Sequence, residues 1–316
     1  PAIPKIKGLE RTNYLTSDEA LRLRRQPKVL TIIGGGYIAA ELGHFFGSLG
    51  TKINIIQKHN YLIHKEDYEI SKKFTEIFSK KYNVCLQCIP EKVTKINGKF
   101  VVSAKRSSST RYLEIESDQL LLATGRVPNS DTLNLSNTGI NVDEDSYISV
   151  DKNLETNVKG IFALGDIIGR YQFRHSANLE AQYAFYNILN HKKKIPVDYR
   201  AMPRAIFSSP QVAGVGYTEQ ELKQSGKKEY AKSIYRYIDT AMGKALEEKE
   251  GFVKLLVSKE NRKVLGCHIL GSQASVLIHE VLVAIKSGDG TIDNIAKTVH
   301  VHPALSEVIA RAAVAM

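Results

Sequence analysis

The chain has 316 residues, of which 43% are hydrophobic and 24% charged, as in a globular protein of two or three domains. It contains no run of ~18 apolar residues and no signal-peptide pattern, so no membrane-spanning segment is predicted. The formal net charge of +11 is spread along the chain without aromatic–basic interleaving. This favours a solvated basic surface, which would also attract an anionic ligand, over nucleic-acid binding.

The first 25 residues predict a connector that ends in a short helix, SDEALRLRR, with Ser17 or Asp18 as its cap. The chain begins on Pro1, in an extended and proline-rich segment without an initiator Met. That pattern is typical of the interior of a longer protein, so we expect the chain to be a fragment.

A glycine-rich turn follows the first predicted strand, at 28–33, and opens the first long helix, at 37–49. Gly34, Gly36 and Ala39 fit the pattern G-x-G-x-x-G/A at this strand-to-helix junction. Gly34 would permit the tight turn, Gly36 would let the backbone approach a pyrophosphate, and the helix N-terminus would face the anion. The stretch therefore predicts a dinucleotide site; the alternative is a glycine-rich turn of another α/β protein.

The residues at the tip of the second predicted strand, 52–57, would determine whether the site prefers NAD(H) or NADP(H). An acidic residue at this tip would bond the ribose hydroxyls and favour NAD(H). The chain instead has Gln57, Lys58 and His59, and this basic pair suits the 2′-phosphate of NADP(H). Gln57 is still able to bond a ribose hydroxyl, and His64 either adds positive charge or is a solvated loop residue.

Two of the three cysteines, Cys85 and Cys88, have the spacing of a redox motif. They lie in NVCLQCIP, which predicts a strand after a helix at 66–81. Residues three apart on a strand point to opposite faces, and no helix N-terminus would lower a thiol pKa. We therefore predict buried structural cysteines in a reducing, cytoplasmic protein, with redox work as the alternative.

The middle of the chain predicts a meander, a buried strand and a polar strand end. Asn97-Gly98 indicates a hairpin, and the polar turn at 105–111 separates two more strands. Residues 120–126 predict a strand that ends in a glycine turn, and residues 160–167 predict another that runs into Asp166. That carboxylate would bond ligand hydroxyls or cap a loop.

The last third of the chain has a different order of elements. A helix is predicted over 175–190, with Ser176 near its start. From about residue 198, separate β-runs precede two helical stretches, ASVLIHEVLVAIKSG and PALSEVIARAAVAM. Strands followed by helices indicate an α+β domain.

Four motifs carry a resemblance that covers nearly the whole chain: GGGYIAAELG (34–43), ATGRVPN (123–129), GIFALGDI (160–167) and HVHPALSEV (300–308). Together they resemble the flavin-dependent pyridine nucleotide–disulfide oxidoreductases. The resemblance implies an α/β protein with a Rossmann-like NAD(P)-binding domain that carries the inserted meander, a partial FAD-domain segment and a C-terminal α+β dimerisation domain. The implied bounds are 1–25 for the connector, 26–128 for the NAD(P) domain, 129–196 for the FAD segment and 197–316 for the dimerisation domain.

The resemblance also assigns roles to single residues. Tyr37 would lie over the flavin and move aside for nicotinamide, and Glu41, on the same helical face, would lie beside the nicotinamide. Asp166 would bond FAD, and the helix near His175 would direct its positive end at the flavin. The cofactor-binding set implied for FAD and NADP(H) or NAD(H) is Gly34, Gly35, Gly36, Tyr37, Ile38, Glu41, Gln57, Lys58, His59, Gly125, Arg126, Asp166, Ser176 and Ala177; no metal site is predicted.

His302, Pro303 and Glu307 resemble the catalytic His-Pro-x-x-x-Glu element of this family. The histidine would take a proton from a substrate thiol while the carboxylate orients it; on its own, His302 would be read as a loop histidine. In the family this histidine reaches the other subunit, which implies a homodimer. His300 is predicted to be structural.

The implied activity is electron transfer between NAD(P)H, FAD and a small disulfide or dithiol, such as dihydrolipoamide or a lipoyl group. The family's first FAD glycine motif and its C-x-x-x-x-C disulfide do not occur in these residues. We therefore expect the chain alone to be inactive. The alternative function is a non-catalytic nucleotide-binding and dimerisation fragment.

Overall fold

The computed structural model of the protein describes residues 1–107, 109, 111–226 and 229–316. The chain forms two compact units: a first unit of residues 1–125 and 203–316, and a second unit of residues 126–202. The helices of the described residues are α1 (Ser17–Ala20), α2 (Tyr37–Ser48), α3 (Tyr68–Lys81), α4 (Arg174–Leu189), α5 (Glu219–Gln224), α6 (Ala241–Ala245), α7 (Ala274–Lys286), α8 (Asp293–Ala296) and α9 (Glu307–Val314). Their strands are β1 (Val29–Ile33), β2 (Lys52–Gln57), β3 (Asn83–Leu86), β4 (Cys88–Ile96), β5 (Lys99–Arg106), β6 (Tyr112–Ser117), β7 (Gln119–Leu122), β8 (Pro203–Ile206), β9 (Gln211–Gly216), β10 (Tyr230–Arg236), β11 (Phe252–Ser258) and β12 (Val264–Gly271).

A parallel four-stranded sheet in the order β3-β2-β1-β7 lies in the N-terminal part of the first unit. Parallel neighbours need helical crossovers, and α2 and α3 supply them. Leu30 and Ile32 pack with the helices on one face, whereas Ile33 and Leu122 pack with the meander on the other. Burial on both faces explains the continuous apolar runs of β1 and β7, and the predicted Rossmann-like sheet is confirmed.

The antiparallel sheet β4-β5-β6 confirms the predicted meander. Its first hairpin turns at Asn97 (φ 50°) and Gly98 (φ 81°), because both residues tolerate the left-handed backbone that a tight hairpin requires. Two residues of the predicted polar turn, Ser108 and Thr110, lie outside the described residues.

The prediction that Cys85 and Cys88 face opposite sides of one strand is wrong. Gln87 has a φ of 55° and separates β3 from β4, so both cysteines enter the same apolar cluster. Burial raises the pKa of the Cys85 thiol, and the neighbouring Cys88 raises it further. Both thiols are buried, as predicted.

The first predicted helix is shorter than expected, and its cap lies one residue earlier than predicted. Thr16 is its cap, in place of Ser17 or Asp18: the hydroxyl accepts from the Asp18 N–H, and Glu19 completes a capping box. The helix ends at Ala20, because the residues after it lack a continuous apolar face.

The C-terminal part of the first unit is an antiparallel five-stranded sheet in the order β10-β11-β12-β9-β8. Helix α7 packs against β9 and β12, and α9 packs against β10 and β11. This confirms the predicted α+β arrangement. Strand β12, however, lies in a stretch to which the sequence analysis assigned no element.

The second unit contains α4, which agrees with the helix predicted over 175–190 to within one residue. The strand predicted at 160–167 is wrong. Phe162 makes only an isolated antiparallel bridge to Glu155, and residues Gly165–Ile168 form a short 3₁₀ helix. Gly165 has a φ of 77°, which ends the extended stretch before a ladder forms.

Candidate functional site

The glycine turn between β1 and α2 leaves an open helix N-terminus. Gly34 has a φ of 112°, and a Cβ there would lie 2.1 Å from the Ala123 carbonyl oxygen, so no side chain fits. Gly36 is the N-cap of α2 and makes no side-chain cap hydrogen bond. A Cβ on Gly36 would meet no atom within 4 Å. The turn therefore offers backbone N–H groups and open space, which suits a pyrophosphate.

The first turns of α2 lie close to the sheet because their residues are small. Ala39 is buried, and a Cβ on Gly43 would lie 3.5 Å from Ile32 Cδ1. Gly35 faces the second strand instead, since a Cβ there would lie 2.6 Å from Gln57 Nε2. Ile38 packs against the core of the unit. The close packing fixes the direction of the helix N-terminus.

The tip of β2 carries a group of basic side chains, which we call the basic cluster: Lys58, His59, His64 and Lys65. The rings of His59 and His64 lie with their centroids 3.9 Å apart. Partial burial and Lys58 lower the pKa of His59. Partial burial, His59 and the two lysines lower the pKa of His64. The cluster therefore holds imidazoles that would gain protons when an anion arrives.

Gln57 is not placed with the basic cluster. Its side chain is buried under Gly35, and its amide donates to the Tyr61 carbonyl at 3.3 Å. The predicted hydrogen bond from Gln57 to a ribose hydroxyl therefore has no support from the geometry.

Glu41 contacts the C-terminal part of the first unit directly, and Tyr37 is linked to it through Glu66. The Tyr37 hydroxyl donates to the buried Glu66 carboxylate, whose other oxygen lies 3.4 Å from Arg204 Nε. Burial, followed by the charge of Glu66, raises the pKa of Tyr37 far above its ordinary value. Glu41 Oε1 accepts from the Phe207 N–H at 2.9 Å. Glu66 and Arg204 were missed by sequence reasoning, since they are 138 residues apart.

The structure brings His302 and Glu307 together at the start of α9. His302 Nδ1 lies 3.0 Å from Glu307 Oε1, and Glu307 Oε2 accepts from the Ala304 N–H at 3.1 Å. The hydrogen bond from His302, with that from Ala304, lowers the pKa of Glu307. An ionised carboxylate only accepts, so Nδ1 carries the proton and the Nε2 lone pair of the exposed ring is left to act as a base.

His300 lies two residues away and is held at both ring nitrogens. Its Nδ1 is 2.9 Å from the Thr298 carbonyl oxygen, and its Nε2 contacts the Glu280 carboxylate. The side chain is also mostly buried. This arrangement supports the predicted structural role.

The second unit carries the predicted FAD-binding carboxylate. Asp166 is half-exposed, and Arg126 Nη1 donates to its Oδ2 at 2.5 Å. A surface carboxylate oriented in this way fits a ligand with hydroxyl groups. The N-cap residue of α4, Phe173, has no polar side chain to cap the helix. These features suit the FAD contacts that the sequence predicts.

Other predicted residues of the second unit shape this turn. Ser176 is fully buried, and its hydroxyl donates to the Tyr171 and Phe173 carbonyls, so its side chain faces the protein. Ala177 lies beneath Gly165, where a Cβ on the glycine would be 3.5 Å away. Buried Glu180, which the sequence analysis missed, accepts from the Gly165 N–H at 2.6 Å.

The Tyr199 hydroxyl donates to the other oxygen of Glu180 at 2.9 Å. Burial and this hydrogen bond raise the pKa of Tyr199 to about 12. The last predicted residue, Gly125, belongs to the first unit and has a φ of 121°, which accounts for a glycine at that turn.

A buried ion cluster, which the sequence analysis also missed, joins α3 to the C-terminal part. Lys254 is fully buried and its Nζ lies 2.8 Å from Asp67 Oδ1, 2.6 Å from Glu69 Oε2 and 2.7 Å from Glu219 Oε2. The available signal was one lysine inside the apolar run of β11. We call Lys254 and these three carboxylates the Lys254 cluster.

Comparison of the sequence with known proteins identifies the family of the chain. Residues 1–181 match the pyridine nucleotide-disulphide oxidoreductase family, and residues 202–313 match the dimerisation domain of that family. The chain is 34% identical to mycothione reductase of Mycobacterium tuberculosis over 99% of its own length and 67% of that protein. It is 33% identical to dihydrolipoyl dehydrogenase of Bacillus subtilis over 98% of its own length and 65% of that protein. The chain thus spans about two thirds of the length of these relatives.

Solved structures show the same fold. The HOCl-induced flavoprotein disulfide reductase RclA of Escherichia coli aligns with a TM-score of 0.87 at 24% identity, covering 99% of this chain and 71% of that one. LpdA of Mycobacterium tuberculosis aligns with a TM-score of 0.85 at 25% identity, covering 95% and 64%. The fold is that of the flavoprotein disulfide reductases.

The chain belongs to the pyridine nucleotide-disulphide oxidoreductase family. Members of this family depend on FAD and NAD(P)H. In the part of the chain that the structure describes, no helix is long and apolar enough to cross a membrane.

Proposed function

We propose that the chain provides the NADPH site and the catalytic base of a homodimeric FAD-dependent reductase that acts on a low-molecular-weight disulfide or a dithiol such as dihydrolipoamide. The observation that carries this proposal is the His302–Glu307 pair, in which one ring nitrogen is fixed by a buried carboxylate and the ring is exposed. That is the arrangement a thiol base needs.

NADPH is the proposed dinucleotide because of the charge at the end of β2. The pyrophosphate would bind at the N-terminus of α2 beside Gly36, and the 2′-phosphate would bind Lys58, His59 and His64. The first acidic residue after β2 is Glu66, but it is buried and already bonded to Tyr37. Among the described residues that directly follow β2, no carboxylate is therefore free to bond the ribose hydroxyls that NAD(H) would present.

The protein's own groups would handle the proton. Glu307 keeps its charge at neutral pH because its pKa is lowered, and it orients the ring through Nδ1. His302 Nε2 then takes the proton of a substrate thiol, and Glu307 stabilises the imidazolium that forms. When bound, FAD would carry electrons between the nicotinamide and the disulfide; Arg126 and Asp166 of the second unit would hold it.

The dinucleotide assignment is tested by calorimetry with NADPH and NADH. We expect NADPH to bind at least ~10-fold more tightly, since two or three charged contacts to the 2′-phosphate are lost with NADH. The double variant Lys58→Ala/His64→Asn should weaken NADPH binding and leave NADH binding unchanged. Lys52→Ala, which removes an exposed lysine at the other end of β2, is the matched control.

The same cluster predicts a pH dependence for NADPH binding. The pKa values of His59 and His64 are lowered in the unbound protein, and a phosphate would raise them. Protons are then taken up on binding, so affinity should rise as the pH falls from 8 to 6. A flat profile would remove the two histidines from the phosphate site.

The catalytic assignment is tested in the flavin-containing protein by absorbance at the flavin bands, NADPH-dependent disulfide reduction and light scattering. Yellow protein with turnover and a mass twice that of one subunit supports the proposal. The second candidate, a non-catalytic nucleotide-binding and dimerisation module, predicts NADPH binding and a dimer without flavin or turnover. The match to the dimerisation domain is compatible with both.

A further inference from the structure

Gln87 connects the end of β3 to the loop that carries the basic cluster. Leu86 of β3 pairs with Gln57 of β2, so Gln87 lies beside the loop that follows β2. The Gln87 N–H donates to the His59 carbonyl at 3.2 Å, and its Nε2 donates to Asn60 Oδ1 at 2.8 Å. We propose that Gln87 is a positioning residue that holds this loop in place and thereby sets the preference for a ligand with a 2′-phosphate. The inference rests on the proposed function, since it takes the basic cluster to bind that phosphate.

Gln87 is itself held firmly by its surroundings. Its carbonyl oxygen accepts from the Ser107 N–H at 2.9 Å and from the Ser107 hydroxyl at 3.2 Å. Cys85 and Cys88, on either side of it in the sequence, are both buried in one apolar cluster. Its φ of 55° is uncommon for a residue other than glycine. The turn at Gln87 is therefore a fixed point to which the loop is attached.

The other end of the same loop is attached to the glycine turn. The N–H of buried Ile63 donates to the Gly35 carbonyl at 2.6 Å. Gly35 directly precedes Gly36, the N-cap of α2. The contact between Ile63 and Gly35 thus places the basic cluster beside an open helix N-terminus, at the carboxyl ends of two parallel strands. One ligand with two phosphate groups is able to contact both.

The basic cluster needs these attachments because its side chains repel one another. Partial burial lowers the pKa of His59 and of His64, and neighbouring positive charges lower both further. Without a phosphate, this repulsion favours a more open loop. A loop that is ordered in advance loses less entropy when the ligand binds, so the hydrogen bond from Gln87 should increase the affinity for the phosphate. One neutral hydrogen bond of this kind changes a dissociation constant by about two- to fivefold.

The experiment compares 2′-phospho-ADP-ribose with ADP-ribose by calorimetry, because the two ligands differ only in the 2′-phosphate. Gln87→Gly removes the side-chain amide, keeps the backbone N–H and suits the left-handed backbone. We expect it to weaken 2′-phospho-ADP-ribose binding by about two- to fivefold and to leave ADP-ribose binding unchanged. Asn97→Gly is the matched control, since Asn97 also has a left-handed backbone (φ 50°) but lies in the hairpin between β4 and β5.

A double-mutant cycle tests whether Gln87 acts through Asn60. Asn60→Ala removes the acceptor and should reduce the preference for 2′-phospho-ADP-ribose by the same factor as Gln87→Gly. The double variant should be no worse than either single variant. Additive effects would overturn the proposal. An unchanged or stronger preference in Gln87→Gly, or an equal loss of affinity for both ligands, would also overturn it.

Failure of this inference is distinguishable from failure of the proposed function. If the wild-type protein prefers 2′-phospho-ADP-ribose and both single variants keep that preference, only the role of Gln87 is wrong. If the wild-type protein binds the two ligands equally, or binds neither, the proposed NADPH site is wrong, and the role of Gln87 is overturned with it.

Discussion

The His302–Glu307 pair and the Lys254 cluster both join a base to a carboxylate, but they differ in exposure. The His302 side chain is 68% exposed, and only one of its ring nitrogens has a partner among the described residues. Lys254 is 0% exposed and contacts three carboxylates. The exposed pair is able to exchange protons with a substrate. Lys254 itself is closed to solvent, and the cluster holds two parts of the first unit together.

The difference shows what the proposed catalytic pair would need beyond the right residue types. One partner must be buried, so that it orients the other, and the nitrogen that takes the proton must be accessible to the substrate. His300 makes this clear within the same segment, because Thr298 and Glu280 occupy both of its ring nitrogens. Residue type alone does not distinguish His300 from His302; the number of occupied nitrogens does.

The largest expected effect comes from His302→Ala in the flavin-containing protein. Loss of a general base lowers turnover by roughly 10²- to 10⁴-fold, and NADPH binding should be unchanged because the glycine turn is intact. Steady-state disulfide reduction together with NADPH calorimetry measures both. His191→Ala, at another exposed histidine, should keep full activity. Normal turnover in His302→Ala would place the base elsewhere.

Lys254→Met tests the buried side of the comparison. It leaves Asp67, Glu69 and Glu219 without their shared cation, and removing one partner of a buried ion pair costs about 3–5 kcal/mol of the free energy of unfolding. Chemical denaturation measures this cost. Lys223→Met is the matched control, because Lys223 pairs with the same Glu219 from the surface and should cost less than about 1 kcal/mol. Equal costs would show that burial does not decide the role of these charges.

The sequence was sufficient where structure depends on neighbours in the chain. The glycine turn, the Asn97-Gly98 hairpin and the helices of the C-terminal part follow from local backbone preferences and apolar periodicity. The strand predicted at 160–167 failed because an apolar run becomes a strand only when a partner lies beside it. The prediction that Cys85 and Cys88 lie on one strand failed for a related reason, since the left-handed backbone of Gln87 divides that stretch into two strands.

The candidate site divides in the same way. His302 and Glu307 are five residues apart, so their pairing could be predicted from the motif. Lys254 and Asp67 are 187 residues apart, and Glu66 and Arg204 are 138 residues apart. A local sequence pattern therefore cannot predict either contact. Gln57 looked available at the tip of β2, but Gly35 lets it turn inward.

Glu307→Gln sharpens the catalytic side of the comparison. The amide oxygen can still accept from Nδ1 of His302, so the ring keeps its orientation but loses the charge that stabilises the imidazolium. We expect turnover to fall roughly 10- to 100-fold, less than in His302→Ala, with little change in the substrate KM. Combining both changes should be no worse than His302→Ala alone. An additive double variant would mean that Glu307 acts independently of the histidine.

The smallest effect concerns His268, a buried histidine whose pKa is influenced by Asp67 of the Lys254 cluster. Burial lowers its pKa below the ordinary value of 6.5, with Arg204 acting in the same direction and Asp67 and Glu66 opposing it. The unfolded chain then binds a proton at His268 that the folded protein does not, so stability is full above pH 6.5 and falls as the pH drops below it. The expected loss is about 1 kcal/mol per pH unit.

Denaturation at pH 7.5, 6.5 and 5.5 measures this slope, and His268→Gln should remove it. The lowered pKa values of His44, His59 and His64 add a background that is the same in both proteins, so the difference in slope isolates His268. Equal slopes would mean that His268 binds a proton as readily in the folded protein as in the unfolded chain. Burial would then not prevent His268 from binding a proton, and exposure would no longer distinguish His302 from the buried groups near the Lys254 cluster.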